Sequence, residues 1–317
     1  SFDSVERLVI TDRASYIAAF LTGQVDQLDS VQTHEIPQIE GQMSDALWYA
    51  QPNYGWNHFA VNSKHPDMPW FQDKRVVQAI RLALPYEQLG AAFGEGWMNS
   101  GPLHVMFAES YKSDEIRQLP GYNPDTKDAA IAEAQKMMAA AGYPEGEGIA
   151  FKDTPSRSAG TAFDNAVRTK DAFAEIFPQM VMDIVPVTDY ASFTNLLNQR
   201  TFEARTYHHT MVPNAVADAR TYYHTDGGRN YQGFEEAWAD EILDKVLEVN
   251  DFEERQALFH QFEDRYLAEG GPLIQTVVSR DQFVYPGTVG GVDLVAGPWA
   301  YGNAGYGVGP RWLWRTV

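Results

Sequence analysis

Phe202 to His224, FEARTYHHTMVPNAVADARTYYH, holds a dense group of side chains that can both hydrogen-bond and stack. It opens with alternation. Phe202, Ala204 and Thr206 point one way and Glu203, Arg205 and Tyr207 the other, which predicts a strand. The strand runs into His208, His209, Met211, Pro213 and Asn214, then a short run with two tyrosines. In an α/β domain such a strand end suits the lip of a ligand site. It also suits an ordinary strand end with a polar loop. Alternation lets at most two of Tyr207, His208 and His209 share a face. The same alternation disfavours a metal, because adjacent histidines point apart and no third ligand is placed.

Other candidates are scattered. Tyr54, Trp56 and His58 have period two, and can line a cleft or serve as core aromatics. Trp97 and Asn99 sit in a WMNSGP loop. Arg157, in the polar loop DTPSRSAG, can fork onto a carboxylate or lie in solvent. Trp299 and Tyr301, in a Gly-rich tail, can stack on a sugar ring or anchor the tail. Familiar catalytic motifs are absent: no GxSxG, no HExxH, no P-loop. HEIPQ at His34 lacks a second histidine, and GNAGYGVG lacks a following helix. Forty-three acidic residues leave a two-carboxylate glycosidase open, but nothing singles out a pair.

These residues need elements to hold them. Val5–Ile10 reads as a short strand. Asp12 caps a helix to Thr22 that stops at Gly23, and Val25–Leu28 resumes as a strand. A short helix is expected over 36–43, and strands over 46–50 and 56–61. Asp73 caps a helix that Pro85 ends, and a second helix follows. An alanine-rich helix runs to Ala141. From about 149 to 207 the pattern is strand, helix, strand, helix, strand, the signature of an α/β domain with at least partly parallel pairing. Two helices follow, over 234–249 and from Asp251 to about Ala268, then strands over 273–278 and 282–285.

Composition narrows the classes. The 317 residues suffice for one large or two ordinary domains. The formal net charge of −19 argues against nucleic acid and against an acidic membrane surface, since phosphate binding needs clustered Lys and Arg. With no cysteine there is no thiolate catalysis, disulfide or zinc–thiolate site. No apolar run approaches the roughly 18 residues that span a bilayer.

Six segments stand in a specific order: RASYIAAFLTGQVDQ, HFAVN, PWFQDKRVVQAIRLALPYEQL, LPGYNPDTKDAAIAEAQKMMAAAGYPEG, DYASFTNLLNQRTFEA and EEAWADEILDKVLEVNDFEERQALFHQFEDRYLAEGGPLIQ. Together they resemble the family 5 extracellular solute-binding proteins of ABC importers, the peptide, nickel and oligosaccharide receptors. The resemblance implies an α/β, periplasmic binding protein-like fold (type II, cluster C) with mixed sheets. It runs from about residue 5 onward but covers only the C-terminal portion of such proteins. The expected division is 1–62 as the end of domain I, 63–282 as domain III, the ligand-binding lobe, and 283–317 as a return to domain I. An upstream part of domain I and domain II are expected to be missing.

The resemblance also implies a role. The chain would capture a polar solute by hinge closure and deliver it to a membrane permease, as a monomer outside the cytoplasm, periplasmic or membrane-tethered. No cofactor, metal or catalytic residue is implied. Peptide-binding members carry an Asp that meets the ligand's amino group, and Met211 falls there. In the nickel branch a His follows the Pro that matches Pro213, where this chain has Asn214. Peptide-like, opine-like and oligosaccharide ligands therefore stay open. Tyr54, Trp56, His58, Trp97, Asn99, Arg157, Tyr207, His208, His209 and Asn214 are the expected ligand-binding residues. The alternatives are a secreted hydrolase acting on saccharides or peptides, and a chaperone-like binder.

Overall fold

The computed structural model describes residues 6, 8–10, 12–29, 31, 33–53, 55–156, 161–187, 189–290 and 314–315. The chain forms two compact units. One comprises residues 1–54, 93–96 and 279–317, the other residues 55–92 and 97–278.

In chain order the elements are α1 (Arg13–Leu21), α2 (Ile36–Gln42), β1 (Leu47–Pro52), β2 (Gly55–Val61), α3 (Lys74–Ala83), α4 (Tyr86–Ala91), β3 (Met98–Asn99) and α5 (Ser113–Ile116). There follow α6 (Lys127–Ala140), β4 (Ala150–Asp153), α7 (Thr161–Ile176), β5 (Val181–Ile184), α8 (Tyr190–Gln199), β6 (Ala204–Thr210), α9 (Ala215–Tyr223), α10 (Ala237–Glu248) and α11 (Phe252–Ala268). The chain closes with β7 (Leu273–Gln275), β8 (Val277–Val278), β9 (Arg280–Tyr285), β10 (Val289–Gly290) and β11 (Trp314–Arg315).

The first unit is built on the antiparallel pair β1–β9, in register Leu47 to Tyr285 through Pro52 to Arg280. Ile17, Phe20, Leu28, Val31, Ile39 and Val284 form its apolar centre. Asp12 starts α1 by accepting the Ser15 N–H at 2.8 Å, and Gly23 (φ 74°) supplies the left-handed turn after it. Two expected strands are not seen. The described residues of 5–10 have no strand structure, with Leu8 and Val9 exposed, and 25–28 contributes only a bridge from Leu28 to Val284. A strand needs a partner for its backbone groups, and among the described residues of these two segments the Leu28 bridge is the one pairing seen.

The second unit carries a five-stranded mixed sheet in the order β5-β4-β6-β2-β7. β4 pairs parallel with β5 and with β6, while β2 lies antiparallel to both β6 and β7. Thus the α/β pattern expected over 149–207 gives the parallel part, and two distant strands complete the sheet. One face carries Phe59, Val61, Phe151, Met182, Ala204 and Ile274, packed with residues of α3, α6 and α7 in a single large core. The single strand expected over 273–278 is two: β7 pairs with β2, and β8 pairs with β3, with Thr276 between them donating its N–H to the Asn57 carbonyl.

Candidate functional site

The site lies on the other face of that sheet. In the antiparallel register Trp56 is opposite His209, His58 opposite Tyr207 and Ala60 opposite Arg205. Opposite residues share a face, and residues two apart share it too. Trp56, His58, Ala60, Arg205, Tyr207 and His209 therefore form one patch. Trp56, His58, Arg205 and His209 are buried, and Tyr207 is half-buried. The patch is covered by α8 and α9: Phe193 of α8 packs on Tyr207 at 4.8 Å, and Tyr222 of α9 meets His209 at 4.6 Å and Trp56 at 5.1 Å, centroid to centroid.

Inside the patch the two imidazoles stand 4.4 Å apart. Tyr207 meets both edge-on, at 5.7 Å from His58 and 4.8 Å from His209. At the surface the Tyr190 and Tyr207 hydroxyls share a hydrogen bond of 2.5 Å, and Tyr190 is exposed. A line of aromatic and polar side chains thus runs from solvent at Tyr190 to the buried histidines.

The electrostatics follow from burial. His58 is held well below the usual imidazole range by desolvation, then by the charges of Arg205 and His208, with the Trp56 backbone opposing. His209 is lowered for the same first reason, with His58 and Arg205 adding to it. Both rings are neutral near pH 7. Desolvation also lowers Arg205 from 12.5 to about 10, so it stays charged. Asp218 on α9 accepts the Val212 N–H at 2.6 Å, and burial raises it to about 8.

The remaining candidates are placed differently. His208 points to the opposite face, where its ring lies over Gly55; a Cβ at residue 55 would collide with that ring and with the His209 carbonyl. Trp97 packs flat on Gly90 of α4. Asn99 is buried on β3 and donates its backbone N–H to the Ser113 hydroxyl oxygen, 2.9 Å away. The Asn214 side chain accepts the Ala217 N–H at 3.0 Å and caps α9. Met211 is buried at the end of β6. Tyr54, Arg157, Trp299 and Tyr301 lie outside the described residues. Among the described residues, no group of three His, Cys, Asp or Glu could hold a metal.

Arg205, Tyr222 and Tyr190 belong to the patch but do not stand out in the sequence. Arg205 shares the parity of Tyr207, which was the available signal. Its guanidinium lies against Phe202, Tyr231 and Gln232, and the segment after α9 that supplies two of these carries no local pattern.

Comparison with known proteins places the fold. The family model described as bacterial extracellular solute-binding proteins, family 5, middle part matches residues 1–185. The chain belongs to this family. No curated protein matches it in sequence. Among solved structures it is similar to the ABC transporter substrate-binding protein CtaP from Listeria monocytogenes, with 16% identity, a TM-score of 0.76, and coverage of 91% of this chain and 56% of that one. The oligopeptide-binding protein AppA from Bacillus subtilis, solved with a nonapeptide, gives 16% identity, a TM-score of 0.74, and coverage of 98% and 60%. The murein tripeptide binding protein MppA from Escherichia coli gives 14%, 0.72, and coverage of 89% and 52%. At these identities the likeness is one of fold. The chain spans little more than half the length of these family 5 structures. Among the described residues no helix is long and apolar enough to cross a membrane.

Proposed function

We propose that this chain is the larger part of a solute receptor of an ABC importer, and that the Trp56–His58–Tyr207–His209 patch contributes to holding the solute. Family membership supports the receptor role. The observation that carries the site is the patch itself: one sheet face with two neutral imidazoles, an indole and a cationic guanidinium, continuous with an exposed tyrosine. The opposite face of the same sheet is largely apolar, with Phe59, Val61, Phe151, Met182, Ala204 and Ile274, and its buried polar residues include Asn57 and the hydrogen-bonded pair Asp153 and Thr206.

The mechanism is capture followed by lobe closure and delivery to a permease, with no covalent step. The chain passes between its two units at residues 54–55, 92–93, 96–97 and 278–279, where the closing motion would be taken up. The setting is periplasmic or extracellular and the working form is a monomer. The ligand is polar, and the aromatics favour one that presents a ring or other flat face.

The test is to extract the solute retained by the purified protein, identify it, and incubate it again with solute-free protein. A receptor returns it chemically unchanged with saturable binding. Cleaved product would replace the receptor reading with a hydrolase.

A further inference from the structure

Glu263 on α11 is 0% exposed, and its carboxyl is held by backbone groups. Oε1 accepts the Leu103 N–H and Oε2 the Tyr111 N–H, each at 3.2 Å. One side chain thus joins the two ends of the segment 103–111, which has no helix or strand of its own. The segment is packed, with Leu103, His104, Val105, Phe107 and Ser110 all buried. Inside it the Ser110 hydroxyl donates to the carbonyls of His104 and Phe107 at 2.9 and 3.0 Å. α11 adds two further ties. Arg255 donates twice to Glu109, at 2.9 and 2.8 Å, and the Tyr111 hydroxyl donates to Asp264 at 3.0 Å. A loop whose ends meet and whose own side chains fill it is a compact support for what lies against it.

Trp56 lies against it. His104, 0% exposed, meets the Trp56 indole edge-on at 5.7 Å between ring centroids. The His104 Nδ1 accepts the Met106 N–H at 3.1 Å, which orients the imidazole from within the loop. The other two rings on Trp56 are His209 of β6 at 6.0 Å and Tyr222 of α9 at 5.1 Å. The loop therefore supplies one of three sides of the indole. A buried carboxyl is costly, and burial pushes Glu263 up to about 8 against the pull of its two N–H partners. An apolar side chain at 263 would avoid that cost but leave both loop ends unbonded. We propose that Glu263 is a positioning residue for the solute face: its carboxyl closes the 103–111 loop, and the loop sets the Trp56 ring through His104. The inference rests on the receptor reading above, in which Trp56 contributes to holding the solute. Glu263 itself has no contact with solute in this scheme.

The test is NMR of the amide and indole N–H groups in the wild type beside Glu263→Gln. The glutamine keeps the length and one acceptor oxygen, so one of the two N–H groups loses its partner. Hydrogen-exchange protection of the Leu103 or the Tyr111 amide should fall about tenfold or more, the loss of one buried hydrogen bond. The Trp56 indole resonance should shift, while those of Trp48 and Trp70 stay in place. His104→Ala should displace the Trp56 resonance as well. If Glu263→Gln does not fold, Glu263→Asp, which withdraws the carboxyl by one methylene, serves in its place with the same changes expected. An unmoved Trp56 resonance in the folded variants, or unchanged protection of both amides, overturns the proposal. Solute retained on native mass spectrometry separates the proposal from the reading beneath it. Retention should fall in Tyr207→Ala and in the folded Glu263 variant. A fall in Tyr207→Ala alone leaves the receptor reading standing and overturns the positioning role. Equal retention by all three proteins, with the Trp56 resonance displaced, overturns the solute face itself and with it the role of Glu263 in binding.

Discussion

His58, His209, Asp153, Asp218 and Glu263 are five titratable side chains with almost no solvent, and they make stability depend on pH in opposite directions. Burial raises Asp153 to about 7 and Asp218 and Glu263 to about 8, against ordinary values of 3.8, 3.8 and 4.5. The folded chain keeps these protons where the unfolded chain has lost them, so stability falls as pH rises through 7 and 8. The histidines act below their ordinary 6.5, where the unfolded chain takes protons that the folded rings refuse. The melting temperature should therefore climb as pH drops from 8 to 6.5 and climb less steeply below that, where the two histidines oppose the three acids. Asp218→Asn removes one group and should reduce the slope by about 1.4 kcal/mol per pH unit, measured by denaturant titration at each pH. An unchanged slope would mean that Asp218 is ionised in the fold. Trp56 is a residue-scale case as well. It is fully buried against His104, His209 and Tyr222, so Trp56→Ala should cost about 3–5 kcal/mol of stability, and a loss of binding in that variant would report on folding.

At the scale of elements, helix starts were legible because they are local. Asp12, Asp73 and Asp251 start helices as the sequence predicts and Asp189 starts α8 in the same way, each accepting a backbone N–H two or three residues on. α9 was not legible. Its cap is Asn214, which the sequence offers equally to a ligand, and its buried residues Asp218, Tyr222 and Tyr223 do not resemble an apolar stripe. Asn214→Ala should cost about 1 kcal/mol by loss of the cap, read as a lower denaturation midpoint. A variant of unchanged stability and weakened solute binding would instead place Asn214 on the ligand. Lys127 is another element-scale contact that sequence reasoning does not supply. Its ammonium donates to the carbonyls of Leu82, Leu84 and Gly121 at 2.7, 2.6 and 3.1 Å, closing the end of α3 against the start of α6. Lys127→Met should destabilise by about 1–3 kcal/mol in chemical denaturation, since three part-buried carbonyls lose their side-chain donor.

The whole molecule joins what was legible to what was not. The α/β pattern over 149–207 and the ordered segments were enough for the family, because they rest on periodicity and on local wording. The site was half legible. Period two placed Trp56 with His58, and parity separated His208 from Tyr207 and His209. Which face of the sheet is polar and covered depends on the antiparallel partnership of β2 with β6, residues some 150 positions apart, and on α8 and α9 closing over it. No local signal carries that. The resulting account is of a receptor fold whose sheet has one largely apolar face for the core and one richer in polar and aromatic side chains for a solute. Native mass spectrometry of the purified wild type beside Tyr207→Ala tests it most directly. The account predicts an added mass on the wild type that denaturation removes, and a clear reduction of that added mass in the folded variant. Equal retention of the same solute by both proteins would contradict the account, because the solute would then be held without this face.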